Sequence, residues 1–474
     1  MLFNSYVFWV FFAVVLLAYR RLPHRGQNRM LLVASYLFYG WWDWRFLSLI
    51  FISTVIDYIA AVNIVKTDSP RRRKLLLALS ACTNLGLLGT FKYYGFFSTE
   101  LVSLFSALSL PVSLPSMKII LPVGISFYTF QTMSYTIDVY RGKTEPVRNF
   151  LDFALYVCFF PQLVAGPIER SGRLMPQILE PRKNRPDDFR VGLYLVLMGL
   201  FKKIVVADNM AAVVDTVFRA EASQLSGVEV LVAAYAFTFQ IYCDFSGYSS
   251  IARGVARWLG FDLMVNFRVP YLARTPSEFW QRWHISLSTW LRDYLYIPLG
   301  GNRGSKLKTY RNLMLTMLLG GLWHGANWTF IAWGGFHGAA LCAYRLIGER
   351  RLDTSPKAPR WPIWKTVLAV LVMFHIVCVG LLIFRSESMA QAWQLAGRVF
   401  GAFHVTDYGL YAIGMFLFYV GPITLYEYWL HRTDDLLRLT KVHWAIRGAW
   451  YCYLVLMMWF FIPLEQHAFI YFQF

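Results

Sequence analysis

Apolar runs alternate with short polar segments along almost the whole chain, and arginine or lysine clusters occupy many of the polar segments. Most of the runs approach the length of about 20 residues that a helix needs to cross the hydrocarbon core of a bilayer. The predicted crossings are Tyr6–Tyr19, 30–44, 46–65, 75–97, 119–140, 190–207, 229–245, 312–326, 328–345, 364–384, 408–430 and 445–463. The pattern therefore predicts an all-α polytopic membrane protein with about twelve crossings.

The basic clusters predict the direction of these crossings, because Lys and Arg in short loops concentrate on the cytoplasmic side. Arg20 and Arg21 follow the first run, so we expect the N-terminus outside the cytoplasm. An even number of crossings then places the C-terminus outside as well. No small-residue cleavage site follows the first run, which indicates a retained signal-anchor helix and not a cleaved peptide.

One segment, 150–168, does not fit this alternation, because basic residues flank it on both sides. Pro161, Gly166 and Pro167 interrupt its apolar sequence, and residues of this kind end or bend helices. We therefore predict a re-entrant pair of helices. Such irregular backbone is tolerated at membrane depth only where it is buried in protein or lines a cavity.

A second exception, 251–311, mixes many arginines and lysines with aromatic residues and contains no run long enough to span. This mixture is typical of amphipathic helices, which we place on the cytoplasmic side. Lys202 and Lys203 are a further anomaly, since they lie in the second half of the run 190–207. Either their side chains extend to the lipid headgroups or they have a buried role.

Composition supports this setting, because 57% of the residues are hydrophobic and only 15% are charged. A net charge of +19 would also suit a nucleic-acid-binding protein, but the basic excess lies in short loops, so a lipid bilayer and not nucleic acid is the predicted partner. The cysteines lie singly without C-x-x-C spacing, which predicts neither a disulfide framework nor a metal site. With no repeat or linker evident, residues 1–474 are predicted to form one membrane domain.

His324 is the first candidate for chemistry, because an ionisable group deep in a membrane segment is costly without a cavity or a partner. It lies thirteen residues into the run that begins at Arg311, roughly 20 Å along a helix. Asn327 could orient its imidazole. Glycines on both sides remove bulk, as a channel or a close helix contact requires: Gly320, Gly321 and Gly325. The competing interpretation is a structural histidine hydrogen-bonded between helices.

The segment 278–296 is the second candidate, because it is dense in polar groups that a plain spanning helix would not tolerate. It carries His284, with Arg282, Arg292 and Asp293 beside it. The alternative is an interfacial helix whose arginines meet lipid phosphate. We interpret His337 as a packing or supporting residue. The remaining histidines are predicted in loops or at the interface: His375, His404, His431, His443 and His467.

The sequences 277–296 and Trp323-His-Gly-Ala-Asn327 together resemble the membrane-bound O-acyltransferase (MBOAT) family. The likeness is to its bacterial branch of alginate O-acetyltransferases and teichoic acid D-alanine transfer proteins. Further stretches that look like this branch are 121–128, 160–167, 244–248 and 469–474.

The resemblance implies that His324 is the catalytic histidine and that His284 belongs to the cytoplasmic-side motif. It also implies a bacterial inner-membrane protein with a ring of helices around a central tunnel. Acetyl-coenzyme A would enter from the cytoplasm, and a periplasmic polysaccharide acetyltransferase would be a partner.

The chemistry of the residues agrees with an O-acetyltransferase. A neutral imidazole can take the proton of an attacking hydroxyl and return it to the leaving thiolate, worth about 10²–10⁴-fold in rate. The basic belt 251–311 offers cations for the donor's phosphates. No serine or cysteine nucleophile with an adjacent base is evident, so direct transfer is favoured. Two alternatives stay open: a D-alanyl or other acyl transferase of the same fold, and a polysaccharide transporter or flippase, which should show repeat-related halves.

The aromatic segment 464–474 is predicted to be an extracytoplasmic tail with one of two roles. An uncharged aromatic tail is often an interfacial anchor. Likeness to the C-terminus of the small peptide that accompanies the D-alanine transfer protein suggests instead that Tyr471 is an acyl relay. Phenolate, with a pKa near 10, leaves more readily than a sugar alkoxide, so a phenyl ester suits a relay.

Overall fold

The structure, a computed structural model, describes residues 1–110, 112–115, 119–164, 166–183, 185–347, 361–463 and 468–470. The regular elements of these residues are helices, and none of these residues lies in a strand. Five helical stretches are long and apolar enough to cross a membrane: His24–Lys66, Pro70–Ala107, Gly227–Trp258, Ile363–Arg385 and Asp407–Thr433. The all-α class is confirmed, whereas the count of about twelve crossings and the ring with a tunnel stay predictions.

The described residues form α-helices in the following order. The first ten are α1 (Tyr6–Tyr19), α2 (His24–Asp43), α3 (Leu47–Lys66), α4 (Pro70–Leu88), α5 (Tyr94–Ala107), α6 (Ile125–Tyr140), α7 (Phe150–Cys158), α8 (Phe160–Leu163), α9 (Ser171–Leu179) and α10 (Asp188–Phe201). The next ten are α11 (Asp208–Arg219), α12 (Gly227–Trp258), α13 (Pro276–Arg282), α14 (Ile285–Leu291), α15 (Lys306–His324), α16 (Trp328–Leu346), α17 (Ile363–Arg385), α18 (Met389–Gly401), α19 (Asp407–Thr433) and α20 (Trp444–Phe460). Shorter π-helical turns are Gly89–Tyr93, Lys202–Ala207 and Arg292–Tyr296, and 3₁₀ turns are Trp44–Phe46, Ala222–Gln224, Pro270–Leu272 and Arg438–Lys441.

The chain divides into two compact units that interleave in sequence. The first comprises Met1–Val196 and Ser249–Met264, and the second comprises Leu197–Tyr248 and Val265–Phe474. Two of the three changes of unit fall inside helices, α10 and α12, and the third falls between Met264 and Val265. The expectation of one membrane domain over 1–474 stays a prediction.

The first unit contains a polar cluster where α3, α4 and α6 pack together. Asp57 on α3 is fully buried, and its carboxylate accepts hydrogen bonds from Ser80 and Asn84 of α4 and from Thr136 of α6. A carboxylate in this position is tolerated because hydrogen bonds replace those it would make with water. The cluster therefore ties three helices of this unit together.

The predicted re-entrant segment is helical but breaks at a different residue. Helix α7 ends at Cys158, and Phe159 (φ −51°, ψ 109°) interrupts the helix before the four-residue α8. Pro161 lies in the first turn of α8, where a proline is accommodated, so it does not cause the break. The residues around the break are buried, as irregular backbone at membrane depth requires. Re-entrance itself stays a prediction.

The boundaries predicted for 251–311 are wrong at both ends. Helix α12 runs on to Trp258, well past the expected end at 245, and α15 already begins at Lys306. Between them α13 and α14 have only seven residues each. Phe279, Trp283 and Leu287 are buried, so these helices pack into the second unit and do not lie on a surface as independent amphipathic helices.

Helices α15 and α16 form a tightly packed hairpin in the second unit. A Cβ at Gly321 would stand 2.2 Å from the backbone oxygen of Phe330, and one at Gly334 would stand 2.3 Å from that of Met317. A Cβ at Gly325 would stand 2.1 Å from the Phe330 ring. Of the two uses foreseen for these glycines, the structure supports the close helix contact at Gly321 and Gly325, because only hydrogen fits there.

Candidate active site

His324 is the last residue of α15, at the turn of the α15–α16 hairpin. Gly325 after it is extended (φ −164°, ψ 155°), which ends the helix. His324 is eighteen positions after Lys306, the first residue of α15, which corresponds to about 27 Å along the helix. The distance estimated from Arg311 was shorter, roughly 20 Å, because the helix begins before Arg311. The side chain is only 4% exposed. Its ring lies 4.9 Å from the Trp333 ring and 5.5 Å from the Phe384 ring.

His284 is held in a conformation that non-glycine residues rarely adopt. It precedes α14 with φ 41° and ψ 55°, in the left-handed region. The residue is 1% exposed, and its ring packs edge-on against Phe245 at 4.6 Å. It lies outside the spanning helices, and burial lowers the pKa of its imidazole to about 3. The side chain is therefore neutral at physiological pH, and the surrounding fold must hold the strained backbone.

Trp323 brings the two histidines together. Its ring lies 6.0 Å from the His284 ring and 5.0 Å from the His324 ring. The two predicted sites, which are separate in sequence, thus form one aromatic-lined region. This region lies within the second unit.

Asn327 does not orient the imidazole of His324, contrary to expectation. Its Oδ1 accepts the N–H of Thr329 at 3.1 Å, which caps the start of α16. Its Nδ2 donates to the backbone oxygen of Glu387 at 3.1 Å. Asn327 therefore starts α16 and anchors the hairpin turn to the segment after α17.

The three charged residues proposed for the donor side have different surroundings. Arg282 donates to Glu278 at 2.6 Å and is largely buried. Arg292 is exposed over 59% of its side chain and pairs with its neighbour Asp293 at 2.8 Å. Of the two arginines, Arg292 is thus the more accessible to an anion from solvent.

His337 lies on α16 and, like His324, packs against Trp333. Its ring is 5.1 Å from Trp333 and 5.3 Å from Trp280. Within the part of the chain that the structure describes, His337 Nδ1 and the indole nitrogens of Trp280 and Trp333 have no hydrogen-bond partner. These polar atoms are therefore buried among aromatic rings.

Buried charges in the second unit were not identified as site residues from sequence, although Lys202 and Lys203 were flagged. Lys202 Nζ lies 2.7 Å from Glu427 Oε1, and Lys203 Nζ lies 2.7 Å from Asp208 Oδ1 and 2.8 Å from Asp244 Oδ1. The buried role foreseen for the lysines is confirmed, and lipid headgroups are not their partners. Lysines inside an apolar run were the signal. Asp208 is near Lys203 in sequence, but the partners Asp244 and Glu427 are distant.

Tyr471, the predicted relay, lies outside the described residues. The two residues before it are described and buried: Phe469 is fully buried and Ile470 is 3% exposed. At these positions the segment therefore lies inside the protein and not at a membrane surface.

Among the described residues, no group of three or more His, Cys, Asp or Glu side chains could hold a metal ion. The cysteines are free thiols. That the enzyme needs no metal or bound cofactor stays a prediction.

Comparison with known protein families gives a match that covers the site. Residues 147–385 match the profile of MBOAT, the membrane-bound O-acyltransferase family. This stretch is half of the chain and includes both histidines. The chain belongs to this family and is an O-acyltransferase, which removes the transporter alternative.

Individual relatives extend the likeness. The chain is 44% identical over 405 residues, 84% of its length and 78% of the relative's, to a protein of Azotobacter vinelandii named "Probable alginate O-acetylase AlgI". It is 36% identical over 434 residues, 85% of its length and 80% of the relative's, to the peptidoglycan O-acetyltransferase of Helicobacter pylori. It is 30% identical over 283 residues, 55% of its length and 68% of the relative's, to the teichoic acid D-alanyltransferase of Streptococcus thermophilus.

Proposed function

We propose that the protein transfers acetyl groups from acetyl-coenzyme A in the cytoplasm to a hydroxyl on the other side of the bacterial inner membrane. The observation that carries this proposal is the position of His324, buried at the turn of a helical hairpin in a region lined by aromatic rings. One of these rings is Trp333, whose indole N–H has no hydrogen-bond partner within the described residues. The relatives named for acetylation support acetyl as the group transferred. Both termini are extracytoplasmic in this scheme.

The step at His324 needs one base and no acyl-histidine, because the acceptor oxygen attacks the thioester directly. The covalent carrier in this scheme is Tyr471, the first acceptor. A ring nitrogen of His324 takes the proton from the acceptor hydroxyl while the oxygen attacks the thioester carbonyl. The carbon–sulfur bond breaks, and the same proton passes to the leaving thiolate, so that the imidazole is neutral again. The indole N–H groups near His324 are the kind of donor that stabilises negative charge on a carbonyl oxygen.

The donor approaches from the side of α13 and α14 in this scheme. Arg292 is accessible and offers a cation to the donor's phosphates, while Asp293 and the buried Arg282 shape the surface around it. His284 packs between Phe245 and Trp323. Its role in this scheme is to hold α13 and α14, on the donor side, next to His324. It acts as a neutral imidazole.

The final acceptor is an exopolysaccharide such as alginate, reached through a periplasmic polysaccharide acetyltransferase. The support is the identity of about 44% to the alginate O-acetylase relative over most of both chains. Tyr471 is the first acceptor in this scheme and carries acetyl as a phenyl ester. The burial of Phe469 and Ile470 supports this, because they lead the chain into the protein immediately before Tyr471.

The donor assay tests the proposal most broadly. Protein reconstituted in liposomes is given acetyl-coenzyme A or an acyl thioester on a carrier protein, and free thiol is measured. We expect thiol from acetyl-coenzyme A. Thiol released only from the carrier-bound thioester would favour the alternative, a transferase of the D-alanyl type, for which the similarity to teichoic acid D-alanyltransferase is the supporting observation.

The relay is tested separately by Tyr471→Phe, which removes one oxygen and keeps the aromatic ring. We expect acetylation of the polymer in cells to be lost. Normal acetylation in that variant would leave the segment as an anchor and the rest of the scheme intact.

A further inference from the structure

Lys203, Asp208 and Asp244 form a buried cluster of one cation and two carboxylates. Lys203 Nζ is within 2.8 Å of one oxygen of each carboxylate, and none of the three side chains is more than 3% exposed. Burying charges is costly, and good geometry with further hydrogen bonds is needed to offset the cost. Lys203 Nζ contacts one oxygen of Asp244, which leaves the other oxygen to accept a hydrogen bond.

Close packing of helices brings these charges together. Lys203 lies in the π-helical turn Lys202–Ala207 that follows α10, and Asp244 lies on α12. A Cβ at Gly247 of α12 would stand 2.7 Å from the backbone oxygen of Gly199, so the two helices touch through their backbones. The glycine therefore sets the distance between the lysine and the carboxylate.

The second oxygen of Asp244 binds the C-terminal segment. The N–H of Ile470 donates to Asp244 Oδ2 at 2.6 Å across 226 residues of sequence. The Phe469 ring packs against Tyr248 at 4.4 Å and against Phe245 at 5.6 Å. Asp244 and Tyr248, at positions i and i+4, lie on the same face of α12, and Phe245 is next to Asp244 in sequence. Phe469 and Ile470 therefore pack against this side of the helix.

We propose that the cluster is a latch that holds Phe469 and Ile470 of the C-terminal segment inside the second unit, with Asp244 as a positioning residue for acyl transfer. Lys203 fixes one oxygen of Asp244 and leaves the other to accept the Ile470 N–H, and hydrogen bonds to an ionised acceptor are the stronger kind. The latched segment reaches the active region through Phe245, whose ring lies 4.6 Å from that of His284. The effect on transfer rests on the proposed function, whereas the latch itself does not.

Cysteine labelling tests the latch directly. Ile470→Cys keeps the backbone N–H, and reaction of the introduced thiol with N-ethylmaleimide is followed by mass spectrometry on the full-length protein in membranes. Adding Asp244→Ala removes the acceptor and should speed labelling by about tenfold or more, since a hydrogen bond to a charged group is lost. Unchanged labelling would overturn the proposal. Cys452 is exposed and serves as the internal reference.

The neighbouring pair Lys202–Glu427 supplies the matched control. It is a buried ion pair of similar length in the same unit, and its carboxylate accepts from Tyr242. It has no hydrogen bond to the described residues 468–470. Glu427→Gln should leave the introduced thiol protected. If Asp244→Ala does not accumulate, Asp244→Leu replaces it, because leucine is similar in size to aspartate and has no acceptor. Faster labelling than in Glu427→Gln supports the latch, and equal rates overturn it.

Activity separates this inference from the proposed function. Asp244→Ala should lose polymer acetylation together with protection of the introduced thiol. If Asp244→Ala speeds labelling of the introduced thiol but acetylation is complete, Asp244 is not a positioning residue. Full acetylation in His324→Ala would end the proposed base, while the labelling result would stand.

Discussion

Two segments meet at Trp323, the α15–α16 hairpin with His324 and the short helices α13 and α14 with His284, and they hold their histidines in opposite ways. The hairpin presents His324 at the end of a regular helix, where the backbone is unstrained and glycines permit close packing. His284 sits in a left-handed backbone conformation, enclosed by aromatic rings. The hairpin can therefore present His324 to a substrate as a base, whereas the short helices hold His284 as a fixed neutral group.

The substitution Gly334→Ala tests the close packing of the α15–α16 hairpin. Its Cβ would stand 2.3 Å from a backbone oxygen of α15, so the helices must separate, at a cost of about 1–3 kcal/mol or more. We expect a lower unfolding temperature and lost transfer. The adjacent Gly335→Ala is the control, because its Cβ meets only the flexible Leu318 side chain at 3.4 Å. Equal behaviour of the two variants would contradict the close contact.

The buried state of His284 predicts a pH dependence of stability. Its folded pKa of about 3 lies below the ordinary value of 6.5, so below pH 6.5 the unfolded chain binds a proton that the folded chain does not. The free energy of unfolding therefore falls as the pH is lowered, by about 2 kcal/mol between pH 6.5 and about pH 5. Thermal unfolding of wild type and His284→Asn at both pH values measures it. Asn tolerates the left-handed backbone. The variant should lose less stability on acidification, and an equal loss would refute the assignment.

The smallest effect is expected at the accessible edge of the short helices. Arg292→Ala removes an exposed cation, so the KM for acetyl-coenzyme A should rise by about threefold at low salt while kcat is kept. The difference should shrink as salt is added, because exposed charges are screened. A KM that is unchanged at every salt concentration would favour the alternative, in which Arg292 contacts lipid phosphate.

Local sequence was sufficient for the features that depend on a motif or on a long apolar run. The motifs identified His324 and His284 as candidates, and hydrophobicity gave the helical class. The sequence did not show that Asn327 caps α16, since the same residue type serves either role. It also could not pair Lys203 with Asp244 or Asp244 with Ile470, because those contacts depend on how distant helices pack. The seven-residue helices were missed because buried polar and aromatic residues give no regular period there.

Single-turnover release of thiol from acetyl-coenzyme A tests the central claim, that His324 is the base. His324→Gln is compared in liposomes with His337→Gln, which alters another buried histidine that also packs on Trp333. We predict that His324→Gln slows release by about 10²–10⁴-fold per folded molecule and that His337→Gln keeps a rate close to wild type. Release at the wild-type rate by His324→Gln, or an equal loss in both variants, would contradict the account.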